Sequence, residues 1–293
     1  MNMATAAQDN YFLPRHKDES SRLNFQHKLL VDICGGNTIH ESISKENITA
    51  IADVATGTGV WIQDAKSILT AHDPEKPRKY FAWDISDAQF SDPAARDGII
   101  FSLHDGRQPF SEEFHNQFDL VHVRLLVAAL KTPEYKQVVD NLVSLLKPGG
   151  YLQWEDLSME SYLHYHGNKE FADHPAMDTV KLCCEVQINA GAPGNVPQTI
   201  YEAAKSHPDL TDVVLNIYNT EDHPDKTEII RQWISKTFDA LLNSILLRSG
   251  RVATQEEANK EREKRREHLL DAFQKGYVPH GSMGMVLGRK VQQ

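Results

Sequence analysis

Three cysteines in 293 residues cannot build a disulfide framework, and their placement, Cys34 alone and Cys183 beside Cys184, matches no zinc module. Long apolar runs are also missing. No stretch approaches the roughly eighteen uncharged apolar residues of a membrane span, and the opening MNMATAAQDN has no basic region leading into an apolar one. Positive charge is in deficit: 31 Lys and Arg stand against 41 Asp and Glu, a net charge of −10, the wrong sign for a general nucleic-acid surface. Internal repeats and low-complexity tracts are absent. These gaps point to a globular protein of the cytoplasm, with the nucleus left open, that binds neither membrane nor nucleic acid.

What is present fits a large packed core. Hydrophobic residues make up 40% and charged residues 25%, close to the globular average. The length predicts roughly two domains, or one large domain with insertions. At this size about three quarters of the unfolded chain's surface can be buried without cross-links.

From Ile48 onward short apolar runs alternate with helical stretches, the rhythm of βαβ units around a parallel sheet. The predicted strands are ITAIADVA, KYFAW, GIIFSL, FDLVHV and YLQWED. Helices are expected on Trp61 to Leu69, through Ala128 and Leu130, and on Val138 to Leu146, the last closed by Lys147-Pro148-Gly149-Gly150. Asp173 is expected to cap a helix carrying Met177, Val180, Cys184 and Ile188, with Cys183 and Cys184 packed in its interior. A short helix on Pro197 to Ser206, the strand TDVVLNIYN, two more helices and a last strand MGMVLG complete the chain. The basic run Lys260 to Arg266 lies in a helix opened by the capping box Thr254-Gln255-Glu256-Glu257, and its interleaved Glu261 and Glu263 make it an exposed mixed-charge face. The fold class is α/β, a Rossmann-like doubly wound sheet whose strands end in polar or acidic residues at a ligand edge.

Between the first strand and the first core helix stands Asp53-Val54-Ala55-Thr56-Gly57-Thr58-Gly59. Such a turn lets a ligand approach the main chain closely. A dinucleotide fingerprint would need a third glycine where this chain has Ile62, and a phosphate loop would need Gly-Lys-Ser/Thr, which does not follow. The turn therefore holds something other than a pyrophosphate.

This segment resembles the first motif of class I S-adenosylmethionine-dependent methyltransferases. Asp84, Asp105 with Pro109-Phe110, Phe118-Asp119 and Leu146 to Gly150 match later motifs in order. Tyr11, Leu13-Pro14, Glu19, Arg22-Leu23, Gln26-His27, Gln153-Trp154-Glu155 and Gly288-Arg289-Lys290 resemble the LaeA-like/UMTA-like group of fungal enzymes tied to secondary metabolism. One departure is Ala55, where the family usually has glycine.

The resemblance implies a seven-stranded methyltransferase sheet with an N-terminal helical lid and a helical insertion after strand five. The expected parts are 1–47 (tail and lid), 48–156 (cofactor-binding core), 157–210 (helical substrate cap) and 211–293 (strands and helices completing the sheet). S-adenosylmethionine is the implied cofactor. Asp84 would accept from its ribose hydroxyls and Asp105 from its adenine amino group; Gly57 and Gly59 would admit the methionine portion, and Asp53 would balance its charge. Ala55, His104, His122, Tyr11 and Arg22 join that cofactor-binding set.

Methyl transfer from a sulfonium is an in-line displacement that needs alignment, exclusion of water and sometimes a proton acceptor. His122 and Glu155, at the ends of the fourth and fifth strands, are the candidate catalytic groups; His122 equally suits a satisfied core histidine. Gln26, His27, Trp154, His164 and His166 are expected at the substrate, with residues 157 to 206 enclosing it. His164-Tyr165-His166 has no acidic partner at metal-ligand spacing, so no metal is expected. The expected activity is methylation of O, N or S on a small natural product; the alternative is a member that binds the cofactor to regulate, or to position a substrate, without methylating. A homodimer or a pathway protein partner is compatible with the sequence.

Overall fold

The computed structural model describes residues 13, 17–164, 171 and 173–292. Its centre is a seven-stranded sheet of order β3-β2-β1-β4-β5-β7-β6. The strands are β1 (Ala50–Val54), β2 (Lys79–Asp84), β3 (Ile99–Leu103), β4 (Phe118–Arg124), β5 (Leu146–Ser158), β6 (Leu210–Asn219) and β7 (Ser282–Lys290). The first five run parallel, and β7 is antiparallel to both β5 and β6. All of β1 is buried, which is why AIADV reads as a continuous apolar run broken only by Asp53. Strand order reverses at β1, between β2 and β4, and the crevice above such a reversal is where this architecture binds ligands.

Eight helices flank the sheet among the described residues: α1 (Lys17–Ile33), α2 (Val60–His72), α3 (Glu134–Leu145), α4 (Met159–Leu163), α5 (Pro175–Asn189), α6 (Val196–Lys205), α7 (Thr227–Arg248) and α8 (Gln255–Gln274). One apolar cluster joins Leu30 of α1, Ile62 of α2, Ile51 of β1 and Trp233 of α7. The other joins Val139 of α3, Ile200 of α6 and Val121 of β4. Leu30, Ile51, Ile62, Val139 and Ile200 are each sealed from solvent, worth roughly 1.5–3 kcal/mol apiece for the larger side chains. The helix α8 opens on the expected Thr254–Glu257 capping box.

Several boundaries differ from the sequence reading. No helix forms at Ala128 and Leu130: Leu125 sits at φ +58°, outside helical space, and the following residues form turns. The α5 cap is His174, which accepts from the Ala176 amide at 3.2 Å, not Asp173, because Pro175 fixes the first helical position one residue later. Lys147 to Gly150 does not precede the fifth strand but lies inside it. The expected cap 157–210 divides. Leu157, Met159 and Tyr162 stand over the ligand edge with Cys183, Cys184 and Gln187 of α5, whereas α6 buries Val196, Ile200 and Ala204 against the α3 side of the sheet. The segment 211–293 divides too, since β6 and β7 complete the sheet while α7 packs on α1.

Candidate functional site

Register assembles the site. Neighbouring strands pair Asp53 with His122, His122 with Gln153, and Arg124 with Glu155. Paired residues share a face, and alternation keeps i and i+2 together. One face of three adjacent strands therefore collects two acids, a histidine, an arginine and a glutamine. Asp156, one residue on from Glu155, points to the other face.

The result is a buried polar chain. His122 Nδ1 lies 2.7 Å from Asp53 Oδ1, and Asp53 Oδ2 accepts from Thr56 Oγ1 at 2.5 Å. The His122 ring lies flat against Trp61, centroids 3.5 Å apart. Its Nε2 stands 3.7 Å from Glu155 Oε1, an ion-pair distance rather than a hydrogen bond. Gln153 Nε2 donates to the same oxygen at 2.7 Å, and Arg124 Nη1 lies 3.6 Å from Oε2. Arg124 Nη2 meets His27 Nδ1 at 3.1 Å, and His27 Nε2 meets Asp64 at 3.1 Å. Burial works to push the Glu155 carboxyl up, but His122, Arg124 and Gln153 outweigh it and hold it down at about 2. His27 and Thr38 likewise hold Asp64 below its ordinary value.

Above the chain the turn closes on itself. Ala55, Gly57 and Gly59 all have left-handed backbones, at φ +56°, +56° and +77°. The Gly57 amide donates to Asp84 Oδ2 at 2.9 Å, and Ser86 N donates to Oδ1 at 3.1 Å. At Gly57 an added Cβ would touch Leu23 of α1 at 3.4 Å, so the helix lies directly over the turn. Gly59 answers to packing instead: a Cβ there would meet the Phe101 ring at 2.5 and 2.8 Å.

These elements surround a cavity of about 270 Å³. Its lining falls into two sets by origin. One comes from the ends of β1 to β4 and includes Asp53, Ala55, Gly57, Asp84, His104 and Asp105. Asp105 is gripped by Arg107, whose Nη2 donates at 2.8 Å and Nε at 3.0 Å; burial raises its carboxyl, and Arg107 more than offsets that to leave it below the ordinary value. The second set comes from α1, α4, α5, α7 and residues just past β5, among them Tyr162, Cys183, Gln187, Trp233 and Phe238. Arg22 and Gln26 join the sets: Arg22 is doubly bonded to Glu19 and also donates to Gln26 Oε1, which accepts from Trp233 Nε1 at 3.1 Å.

Of the sequence-predicted residues, the cavity brings together Asp53, Ala55, Gly57, Asp84, His104, Asp105, His122, Arg22 and Gln26. Glu155 and His27 lie one layer behind its wall, reached through His122 and Arg124. Gly59 and Trp154 do not line it. Trp154 is fully buried on the opposite face, stacked on Tyr135 with its Nε1 toward Asp156, because alternation sends it away from Gln153 and Glu155. His164 is exposed and bonded back to the Glu160 carbonyl at 2.8 Å. Tyr11, Tyr165 and His166 lie outside the described residues. Cys183 and Cys184 are buried as expected but also face the cavity, where burial pushes the Cys184 thiol up to about 12. Sequence reasoning missed the α7 residues and Gln187, whose helical spacing looks like any core stripe. Among the described residues no group of three His, Cys, Asp or Glu could hold a metal, and no helix is long and apolar enough to cross a membrane.

A 3-2-1-4-5-7-6 sheet with antiparallel β7, a glycine turn at the end of β1 and an acid closing β2 define a class I S-adenosylmethionine-dependent methyltransferase. S-adenosylmethionine is the cofactor of that class. No protein-family model matches the chain. It is 38% identical over 217 residues to the methyltransferase grgD of Penicillium sp, covering 72% of this chain and 72% of that protein. To the N-methyltransferase tcpN of Claviceps purpurea (strain 20.1) it is 29% identical over 148 residues, covering 50% of this chain and 51% of the relative. A solved Haemonchus contortus phosphoethanolamine N-methyltransferase 2 in complex with S-adenosyl-L-methionine aligns over 83% of this chain and 49% of that one, at 15% identity and a TM-score of 0.46. The chain belongs to the fungal methyltransferase family that includes grgD.

Proposed function

We propose that this methyltransferase places a methyl group on O, N or S of a small-molecule natural product of fungal secondary metabolism. The observation that carries the reading is one cavity joining the strand-end acids to an enclosure built by α1, α5 and α7. A cofactor bound at the acids and an acceptor bound in the enclosure would share a single dry space.

The residues present fit the cofactor. Asp84 offers a carboxylate at the end of β2, and the left-handed Ala55 and Gly57 expose main chain to whatever lies above them. When bound, S-adenosylmethionine supplies an electrophilic methyl on a positively charged sulfur. Asp84 would accept from ribose hydroxyls, and Asp105, already oriented by Arg107, from the adenine amino group. Asp53 contributes negative potential near the sulfur, its carboxylate fixed by Thr56 and His122.

His122 serves in this reading as a positioning residue rather than a proton acceptor. Its Nδ1 is hydrogen-bonded to Asp53 and Trp61 covers one ring face, so the imidazole is fixed in place. Catalysis then rests on alignment and on exclusion of water by the α1 and α7 walls. The test is calorimetric titration with S-adenosylhomocysteine, followed by transfer of labelled methyl groups into a producer-strain extract. Binding and a labelled small product are expected; a protein that binds no cofactor ends the reading.

A further inference from the structure

The enclosure's chemistry narrows the acceptor further. Its walls are apolar: Leu157, Met159, Ile234, Phe238 and Leu241 face it together with the protonated thiols of Cys183 and Cys184. The two described cations that reach it are already matched. Arg22 is held by Glu19 through bonds of 2.6 and 2.9 Å, and Arg124 lies 3.6 Å from the Glu155 carboxylate. No described carboxylate lines this half; Asp53, Asp84 and Asp105 all belong to the strand-end set. A charged acceptor would shed its water here and find no opposite charge, a penalty that neutral molecules escape.

Among the described residues of this wall, Gln187 supplies an acceptor beside the hydroxyls of Tyr162 and Thr237. Gln187, on α5, is 6% exposed and lines the cavity. Its Nε2 donates back to the Cys183 carbonyl at 2.8 Å, and no described residue donates to its Oε1. An amide held by one end in an apolar wall presents a fixed acceptor to a ligand, and a buried acceptor of this kind discriminates strongly against molecules that leave it unmet.

The geometry points to an uncharged, mainly apolar acceptor that carries a hydrogen-bond donor, an N–H or O–H, received by Gln187 Oε1. This inference rests on the methyltransferase reading and specifies its substrate class. The test uses protein saturated with S-adenosylhomocysteine, so that the nucleoside half is filled, and four naphthalene probes of one shape. These are 2-naphthol (neutral donor), 2-methoxynaphthalene (neutral, no donor), 2-naphthoate (anion) and naphthalen-2-ylmethylammonium (cation), each titrated by calorimetry.

The naphthol is expected to bind about tenfold more tightly than its methyl ether, and both ions to fall below detection. In Gln187→Leu the gap between naphthol and ether should shrink to about twofold or less, while S-adenosylhomocysteine binds as in the native protein, which also shows that the variant folds. An ion binding as tightly as the naphthol, a naphthol–ether gap that survives the substitution, or no probe binding at all would overturn the inference and leave the cofactor reading standing. Failure of S-adenosylhomocysteine itself to bind would instead remove the reading beneath it.

Discussion

Asp156 and Glu155 are adjacent, both buried, and titrate in opposite directions. Glu155 faces His122 and Arg124; Asp156 faces the α3 side, where its partners are the amides of Leu126 at 2.9 Å and Leu157 at 3.0 Å and the Trp154 Nε1 at 3.3 Å. Donors without a full charge offset only part of the cost of burial, so the Asp156 carboxyl is pushed up to about 7 from an ordinary 3.8. A carboxyl that binds its proton more tightly when folded favours the native state at low pH, and that contribution is lost as pH rises through the raised value. Between pH 5 and pH 8 the loss amounts to roughly 2–3 kcal/mol. Asp156→Asn keeps an acceptor oxygen for the Leu126 amide and removes the titration. Urea unfolding of both proteins at pH 5, 6.5 and 8 isolates the effect, because every other titrating group cancels in the difference. The variant should gain on the native protein by roughly 2–3 kcal/mol across that range. Two stability curves that run parallel from pH 5 to pH 8 would refute the reasoning.

The other carboxylates and the strained turn give further tests. Glu155→Gln leaves His122 and Arg124 facing an amide, and should cost roughly 3 kcal/mol at pH 7 by urea unfolding; a loss under about 1 kcal/mol would count against the buried pairing. Because the Glu155 carboxyl is held at about 2 against an ordinary 4.5, its native contribution is full above pH 4.5 and fades below it, and the variant should lack that acid-side slope. Asp84→Ala should weaken S-adenosylhomocysteine binding by about 1–3 kcal/mol in calorimetry, since it also releases the Gly57 and Ser86 amides; an unchanged dissociation constant removes the assigned role. Ala55→Gly should stabilise the protein by about 0.5–1 kcal/mol: the left-handed backbone at φ +56° costs alanine about 1–2 kcal/mol, and glycine's extra chain entropy takes back part of the gain. Equal or lower stability in thermal or urea unfolding would contradict that account.

The strand-end half of the cavity was readable because its signals are local. A strand, a left-handed turn and a helix occupy one short stretch of chain, and each later acid marks the end of a strand in a fixed periodic pattern. Asp53, Gly57, Asp84 and Asp105 could therefore be placed from their strand-end positions together with the resemblance to the methyltransferase motifs, and they line one cavity. The helical half offered no such handle. Trp233, Phe238 and Leu241 recur at helical spacing as they would on any buried face, and which face of α7 looks into a cavity depends on how α1 crosses it. Trp154 failed for a simpler reason. Period-two alternation was available in Gln153-Trp154-Glu155-Asp156, and following it strictly sends Trp154 to the α3 side with Asp156.

Strain supplies the remaining link between the fold and the site. Among the described residues five other than glycine have left-handed backbones: Ala55, Asp97, Asn116, Leu125 and Asp212. Asp and Asn adopt that region readily, so three of the five need no special explanation. Ala55 and Leu125 are the costly pair, and both line the cavity. Leu125 is held from two sides: its own amide bonds to the Glu155 carbonyl at 2.9 Å, and the next amide, on Leu126, bonds to the Asp156 carboxylate at 2.9 Å. The destabilising burial of Asp156 thus has a counterpart in the wall it pins. A hydrophobic residue at position 156 would remove the burial cost but leave the Leu126 amide without its acceptor and Leu125 free to relax out of a conformation worth about 1–2 kcal/mol of strain. Asparagine is the substitution that separates the two effects, because it discards the charge and keeps the tether.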